Sequence, residues 1–252
     1  MDAIAIIPAR IASTRLPRKV LREIAGKTML ERVVSAALDC KQLREVIVAT
    51  DSDEVLVVCK KHGWKAQMTR PDHRSGTDRV HEVAQSIAAE IYVNVQGDEP
   101  LARPEHLDAL LSPFFGVHGK DVEVATIATP CKPEDFDNPN AVKVVTDEAS
   151  RALYFSRSTI PHDRDGLIAR SEASAYARKK HLGFYAYRKS ALDRFCTWPE
   201  SALERTERLE QLRFLDHGVA IHVAMTPHDT IGVDTEDDLR RVESLIRARE
   251  KS

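Results

Sequence analysis

The chain has 252 residues, 42% of them apolar and 30% charged, with a formal net charge of −2. That composition fits a soluble globular protein with one large α/β domain, or one domain with a small lobe. The near-neutral balance excludes a whole-molecule field for nucleic acid or an acidic membrane, so any basic site must be local.

Cys40, Cys59, Cys131 and Cys196 lie far apart with no CxxC pair, which reads as reduced thiols in a cytoplasmic protein. No secretory leader is expected, since Asp2 is acidic and the first apolar run breaks at Arg10. No apolar stretch approaches the roughly 20 residues that span a bilayer.

Ala3–Ala9 is nearly all apolar, as a strand buried on both faces is. Met29, Leu30, Val33, Val34, Ala37 and Leu38 then recur at helical spacing. Glu45–Thr50 reads as a strand, Asp53–Lys61 as a helix, Val80 to Ala88 as another helix and Ile91–Val95 as a strand. This β–α–β alternation predicts an α/β fold with a doubly wound, mostly parallel sheet. Beyond Leu101 the pattern loosens. Val122–Ala128, Ala141–Thr146, Arg151–Ser156 and His181–Tyr187 read as strands, and polar Thr159–Lys180 as a mobile loop or oligomer arm. A helix over Ser201–Leu215, a strand over Ala220–Met225 and a helix over Glu236–Arg249, capped by Thr235 with Asp238 three residues on, close the chain.

In open parallel sheets ligands bind beyond the carboxyl ends of the strands. After the first strand come Arg10, Arg15, Arg18, Lys19, Arg22 and Lys27 against a single acid, Glu23, with Ser13 and Thr14 adding hydroxyls. No glycine precedes Gly26, which excludes both the GxGxxG dinucleotide turn and the P-loop. A loop that cannot bring bare backbone to a phosphate must use side chains, and guanidinium and ammonium groups do so. By charge count alone a solvated basic loop fits equally well.

Asp98, in Gln96-Gly97-Asp98-Glu99-Pro100, follows a strand and is placed either for a hard cation or for an ordinary turn. Asp234 follows an edge strand if Ile231–Val233 is one, and it fits a second metal ligand or a helix-start acid favoured by the dipole. Arg70 to Arg79 opens a helix that Ser75 or Thr77 can cap, and its N-terminus can bind an anion or face a base edge.

These segments together resemble the 3-deoxy-manno-octulosonate (KDO) cytidylyltransferases. The matching stretches are IPARIASTRLPRKVL (7–21), ATDSDEV (49–55), MTRPDHRSGTDRV (68–80), VNVQGDEP (93–100), NPNAVKVV (138–145), ALYFSRSTIP (152–161), HLGFYAY (181–187), LERTERLEQLRFL (203–215) and GVDTEDDL (232–239), in family order from end to end. CMP-sialic acid synthetases share the first stretch and the QGDEP-like turn more loosely.

The resemblance implies a nucleotide-diphospho-sugar transferase-like, Rossmann-like single domain over 1–252, with a small sugar-binding and dimerisation lobe within 129–190. It implies a cytoplasmic homodimer that uses Mg²⁺ and binds neither nucleic acid nor membrane. The implied reaction is CTP plus KDO giving CMP-KDO plus pyrophosphate, which activates KDO for lipopolysaccharide synthesis.

By the same resemblance Arg10, Ser13, Arg15 and Lys19 hold the triphosphate, with Arg10, Arg15, Lys19 and Asp98 catalytic. Ala9, Asp72, Ser75, Gly76 and Thr77 surround the cytidine, with Gln96 nearby. Asp98 and Asp234 bind the metal, and Arg157, His181, Tyr185, Glu210 and Gln211 bind the sugar acid. The residues allow these roles without requiring them. Arg157 can meet a carboxylate. His181 and Tyr185 share one face of a strand, which also fits core packing with satisfied tips. On a helix, Glu207, Glu210 and Gln211 would look away from the core, into a site or into solvent.

One departure stands out. The family has Gly where Arg18 stands here, which implies a non-glycine backbone there and an extra cation near the phosphates. The other readings are an enzyme for 8-amino-KDO or another nonulosonate-type sugar acid, a sugar-1-phosphate nucleotidylyltransferase, whose usual GxGTR loop is missing, and a nucleotide-binding regulator without catalysis.

Overall fold

The structure, a computed structural model, describes residues 1–13, 15–166 and 178–249. The chain divides into two compact units, residues 1–107 with 230–252, and residues 108–229. The second is larger than the 129–190 lobe expected and contains it. Of the expected loop over Thr159–Lys180, residues 167–177 lie outside the described residues, as does Thr14.

In the first unit β1 (Ala3–Ala9) is buried along its whole length because it lies between two parallel neighbours. After the hairpin of β2 (Glu23–Ile24) and β3 (Lys27–Thr28) come α1 (Met29–Leu38), β4 (Glu45–Thr50), α2 (Asp53–His62), β5 (Lys65–Met68), α3 (Gly76–Ser86) and β6 (Ile91–Asn94). The parallel order is β6–β1–β4–β5. Pro8 is tolerated in a central strand because it lies past Ile6, the last residue paired with β6. Strand β5 was not expected from the sequence. As KAQM at the sheet edge it is not fully buried, so no apolar pattern announces it.

Helices α1 and α3 start at capping boxes, Thr28 with Glu31 and Ser75 with Asp78. The closing helix Glu236–Arg249 starts the same way, at Thr235 with Asp238. Its Leu239, Val242 and Ile246 join Leu16, Ile24, Met29, Leu101 and Val233 in one apolar cluster.

Helix α4 (Pro104–Leu111) leads out of the first unit. The second unit has β7 (Val124–Pro130), β8 (Lys143–Thr146), β9 (Ala152–Ser156), β10 (Lys179–Arg188), α5 (Lys189–Thr197), α6 (Ala202–Glu207), α7 (Leu212–Asp216) and β11 (Ile221–Met225). Strand β11 is parallel to β7, while β10 is antiparallel to β7 and β8, and β8 to β9.

The single helix expected over Ser201–Leu215 is instead two short ones. Arg208 adopts a left-handed conformation (φ 54°) and ends α6 after Glu207. The expected polar face breaks up with it, and Gln211 is buried, at 5% exposure, rather than turned away from the core. Ile231–Val233 is not a strand. It is held instead by the Val233 N–H donating to the Asp98 carbonyl at 2.9 Å.

Candidate active site

At the carboxyl edge of the first unit's sheet the chain leaves β1 as the cationic loop, pinned by buried Leu16 and Val20. Lys19 opens a short 3₁₀ turn, Lys19–Leu21. Its Nζ donates to Asp98 Oδ2 at 2.6 Å and to Asp234 Oδ1 at 2.9 Å. Arg15 Nη2 meets Asp234 Oδ2 at 3.0 Å. Burial opposes the Lys19 charge, but the two carboxylates outweigh it and hold its pKa above the usual lysine value. Burial likewise pushes Asp234 up, but Lys19 and Arg15 leave it below the usual carboxylate range.

Asp98 is fixed through the residue before it. A Cβ on Gly97 would lie 2.6 Å from the Pro8 carbonyl oxygen, so only glycine lets this turn approach β1 so closely. The sequence showed Gly97 only as part of a turn.

Arg18 differs from expectation in two ways. Its backbone keeps the left-handed conformation that glycine favours (φ 56°, ψ 33°), and its guanidinium is paired with Glu54 on α2. The substitution keeps the loop's shape at the expense of local strain, and its charge is neutralised by that helix.

Gly76 opens α3 against the same edge. A Cβ there would meet the Gln96 amide at 3.5 Å and Pro8 Cγ at 3.6 Å, so Gly76, Gln96 and the end of β1 lie together. Ser75 is committed to its cap and Thr77 is buried in the first turn. The Ala9 carbonyl accepts from Thr50 Oγ1 at 2.7 Å. Arg10 is exposed and Ser13 half-buried. Asp72 is exposed and its two oxygens are taken by Arg70, at 3.0 and 2.5 Å.

The edge is stiffened by residues that the sequence reading did not single out. Fully buried Arg79 donates to Asp51 Oδ2 at 2.9 Å and to the Thr69 hydroxyl, and Thr69 donates to the Thr50 carbonyl at 2.9 Å. The available signal was Asp51 directly after β4, the same placement that drew attention to Asp98.

The second unit gathers the other candidates. His181 and Tyr185 have ring centroids 5.4 Å apart. On a regular strand four residues span about 13 Å. The approach is made by a bulge, in which His181 pairs with Ala128 and Tyr185 with Thr126, so four residues cover two rungs. The Thr126 hydroxyl holds the bulge by donating to the Phe184 carbonyl at 2.7 Å. Its oxygen is therefore an acceptor for His181 Nε2, 2.9 Å away. This fixes the Nε2–H tautomer and leaves Nδ1 as an acceptor. Burial lowers the His181 pKa to about 3, so the ring is neutral. Tyr185 is pushed well above the usual tyrosine value by burial, then by Tyr187 and Glu210. Gln211 Nε2 is buried with no hydrogen-bond partner among the described residues.

Arg157 does not present a free guanidinium. It donates to the carbonyls of Glu207 (2.7 Å), Pro139 (2.9 Å) and Arg208 (3.3 Å). Its own carbonyl accepts from Lys143 Nζ at 2.8 Å, inside the unit. Glu207 accepts from the Ser156 hydroxyl at 2.6 Å and the Arg157 N–H at 3.0 Å. Arg157 and Glu207 thus clamp the break after α6 that leads to Glu210 and Gln211.

A cationic loop and paired carboxylates stand where open parallel sheets bind their ligands, beyond the carboxyl ends of the strands, and they suit a nucleotide-handling α/β enzyme. The cytidylyltransferase family model matches residues 4–221. A 3-deoxy-manno-octulosonate cytidylyltransferase from Koribacter versatilis is 66% identical, over 99% of this chain and 92% of its own length. One from Acidobacterium capsulatum is 56% identical, over 100% and 99%. A solved CMP:2-keto-3-deoxy-manno-octonic acid synthetase complexed with CTP has a TM-score of 0.91 and 40% identity, covering 99% of this chain and 100% of that one. The chain belongs to the 3-deoxy-manno-octulosonate cytidylyltransferase family. No helix among the described residues is long and apolar enough to cross a membrane.

Proposed function

We propose that this protein transfers CMP from CTP to the anomeric hydroxyl of KDO, releasing pyrophosphate. The observation that carries this reading is the convergence of Lys19, Asp98 and Asp234, three segments meeting at one sheet edge. The solved relative named as a complex with CTP supports CTP as the nucleotide.

Arg10, Arg15 and Lys19 neutralise the charge that grows on the leaving pyrophosphate, and Ser13 adds a hydroxyl donor. Gly76 and Gln96 leave room for the cytidine and orient it. Among the described residues no group of three or more His, Cys, Asp or Glu side chains is placed to hold a metal ion. Two carboxylates still suit Mg²⁺, which proteins hold by one or two carboxylates while phosphates and water complete the shell. Held by Asp98 and Asp234, Mg²⁺ would supply charge neutralisation at the phosphates and acidify a bound hydroxyl.

In the second unit His181 Nδ1 accepts a sugar hydroxyl, and Tyr185, Glu210 and Gln211 supply directional partners. The unpartnered Gln211 amide supports this assignment, since a buried donor without a partner is costly unless a ligand satisfies it. Arg157 acts on the sugar by holding that wall in place. A cytoplasmic homodimer belongs to the same reading, supported by the family resemblance and, for the compartment, by four free cysteines.

The test is pyrophosphate release with Mg²⁺ and a matrix of CTP, UTP, ATP and GTP against KDO, 8-amino-KDO and sialic acid. Release confined to CTP with KDO is expected. Release only with 8-amino-KDO moves the substrate assignment, and CTP binding without release makes the protein a regulator.

A further inference from the structure

We propose that Lys19 has two successive partners: without substrates its ammonium holds the Asp98 and Asp234 carboxylates together, and a divalent cation that takes the same two carboxylates displaces it toward the triphosphate. This rests on the metal assignment proposed above.

The backbone brings the two carboxylates together regardless of charge, because the Val233 N–H is bonded to the Asp98 carbonyl at 2.9 Å. Two anions held close repel unless a cation lies between them. Lys19 Nζ fills that role, with one oxygen of each within 2.9 Å. A magnesium-sized ion binds carboxylate oxygens at about 2.0–2.1 Å, so it cannot share Asp98 Oδ2 and Asp234 Oδ1 with an ammonium that bridges them.

Lys19 is built to leave. Its neighbour Val20 is 4% exposed and anchors the turn, while the four-carbon stem lets Nζ swing with the backbone still. Of the two carboxylates, Arg15 meets Asp234, through the oxygen that Lys19 does not use, and need not move. The exchange makes the cationic loop conditional: Lys19 is free to grip phosphate once the carboxylates have another cation. Metal alone should therefore bind weakly, because it must expel an internal competitor.

The test uses Mn²⁺ alone, without nucleotide, titrated into the full-length protein by electron paramagnetic resonance and calorimetry. Lys19→Met should bind Mn²⁺ at least about tenfold more tightly than wild type, although the same change weakens CTP binding; such opposite signs are expected of a competitor. Arg15→Met removes the same charge from one carboxylate only and should gain no more than about threefold. Lys19→Gln, uncharged but polar, repeats the measurement should the Met variant fold poorly. Equal gains for Lys19→Met and Arg15→Met, or no gain for either Lys19 variant, would overturn the proposal. Asp98→Asn in the Lys19→Met background should abolish the gain; Mn²⁺ binding that ignores Asp98 would instead overturn the metal assignment itself.

Discussion

Gly97→Ala adds a single methyl group to the turn that carries Asp98, where that turn packs against the end of β1. That methyl would sit 2.6 Å from the Pro8 carbonyl oxygen and 3.5 Å from Val20 Cγ1. The first contact is with backbone. It belongs to a buried central strand whose proline ring fixes φ, so β1 cannot yield. The turn that carries Asp98 must retreat by most of an ångström. Overpacking of this kind costs about 1–3 kcal/mol. Reduced freedom of the unfolded chain returns about 0.4–1 kcal/mol, leaving a net change between about zero and a loss of about 2.6 kcal/mol. Because Asp98 moves with the turn, kcat should fall by about a hundredfold, the scale of a 1 Å misplacement. Urea unfolding and steady-state pyrophosphate release measure the two effects. A variant with the wild-type midpoint and wild-type kcat would refute the close-approach argument.

Asp98→Asn should lower kcat by orders of magnitude with the unfolding free energy in urea held to within about 1 kcal/mol, and near-full activity would remove Asp98 from the chemistry. Arg18→Gly relieves the left-handed backbone and loses only an exposed ion pair, so stability should rise by about 0.5–1 kcal/mol in urea melts. Gln211→Met removes the unpartnered buried donor; its substrate-free stability should equal or exceed wild type, while KM for KDO rises at least about tenfold and KM for CTP stays fixed. For His181 the folded pKa of about 3 lies below the unfolded value of about 6.5. The unfolded chain therefore binds the proton first, and stability present above pH 6.5 is lost as pH falls toward 3, with a slope of at most about 1.4 kcal/mol per pH unit. His181→Asn should flatten that slope, and identical pH profiles for the two proteins would count against a buried neutral ring.

The sequence made the strand ends legible because burial on both faces leaves an unbroken apolar run, as in Ala3–Ala9, and because chemistry collects just beyond such runs. Lys19, Asp98 and Asp234 could be nominated that way, although their convergence on one ammonium could not. Strand β5 stayed invisible because an edge strand needs no apolar pattern. The break at Arg208 stayed invisible because an arginine in a left-handed conformation has no local signature, and the continuous helix it interrupts would have turned Gln211 outward. Arg157 shows a different limit. A cation near a carboxylate substrate is a sound expectation from charge, yet guanidinium groups also satisfy carbonyls, and three of them claim this one.

The bulge in β10 makes the pairing of His181 with Tyr185 a matter of chain length. Gly183 and Phe184 lie between Leu182 and Tyr185 without a partner on β7, so His181 faces Ala128 and Tyr185 faces Thr126, two positions apart and therefore on the same side of the sheet. With the same two unpaired positions kept, deleting one residue there would place Ala186 opposite Thr126 and inserting one would place Phe184 there, so either change removes Tyr185 from its position beside His181. The chain length at this point therefore sets which side chain stands beside His181, while the β7 ladder sets how far apart the two stand.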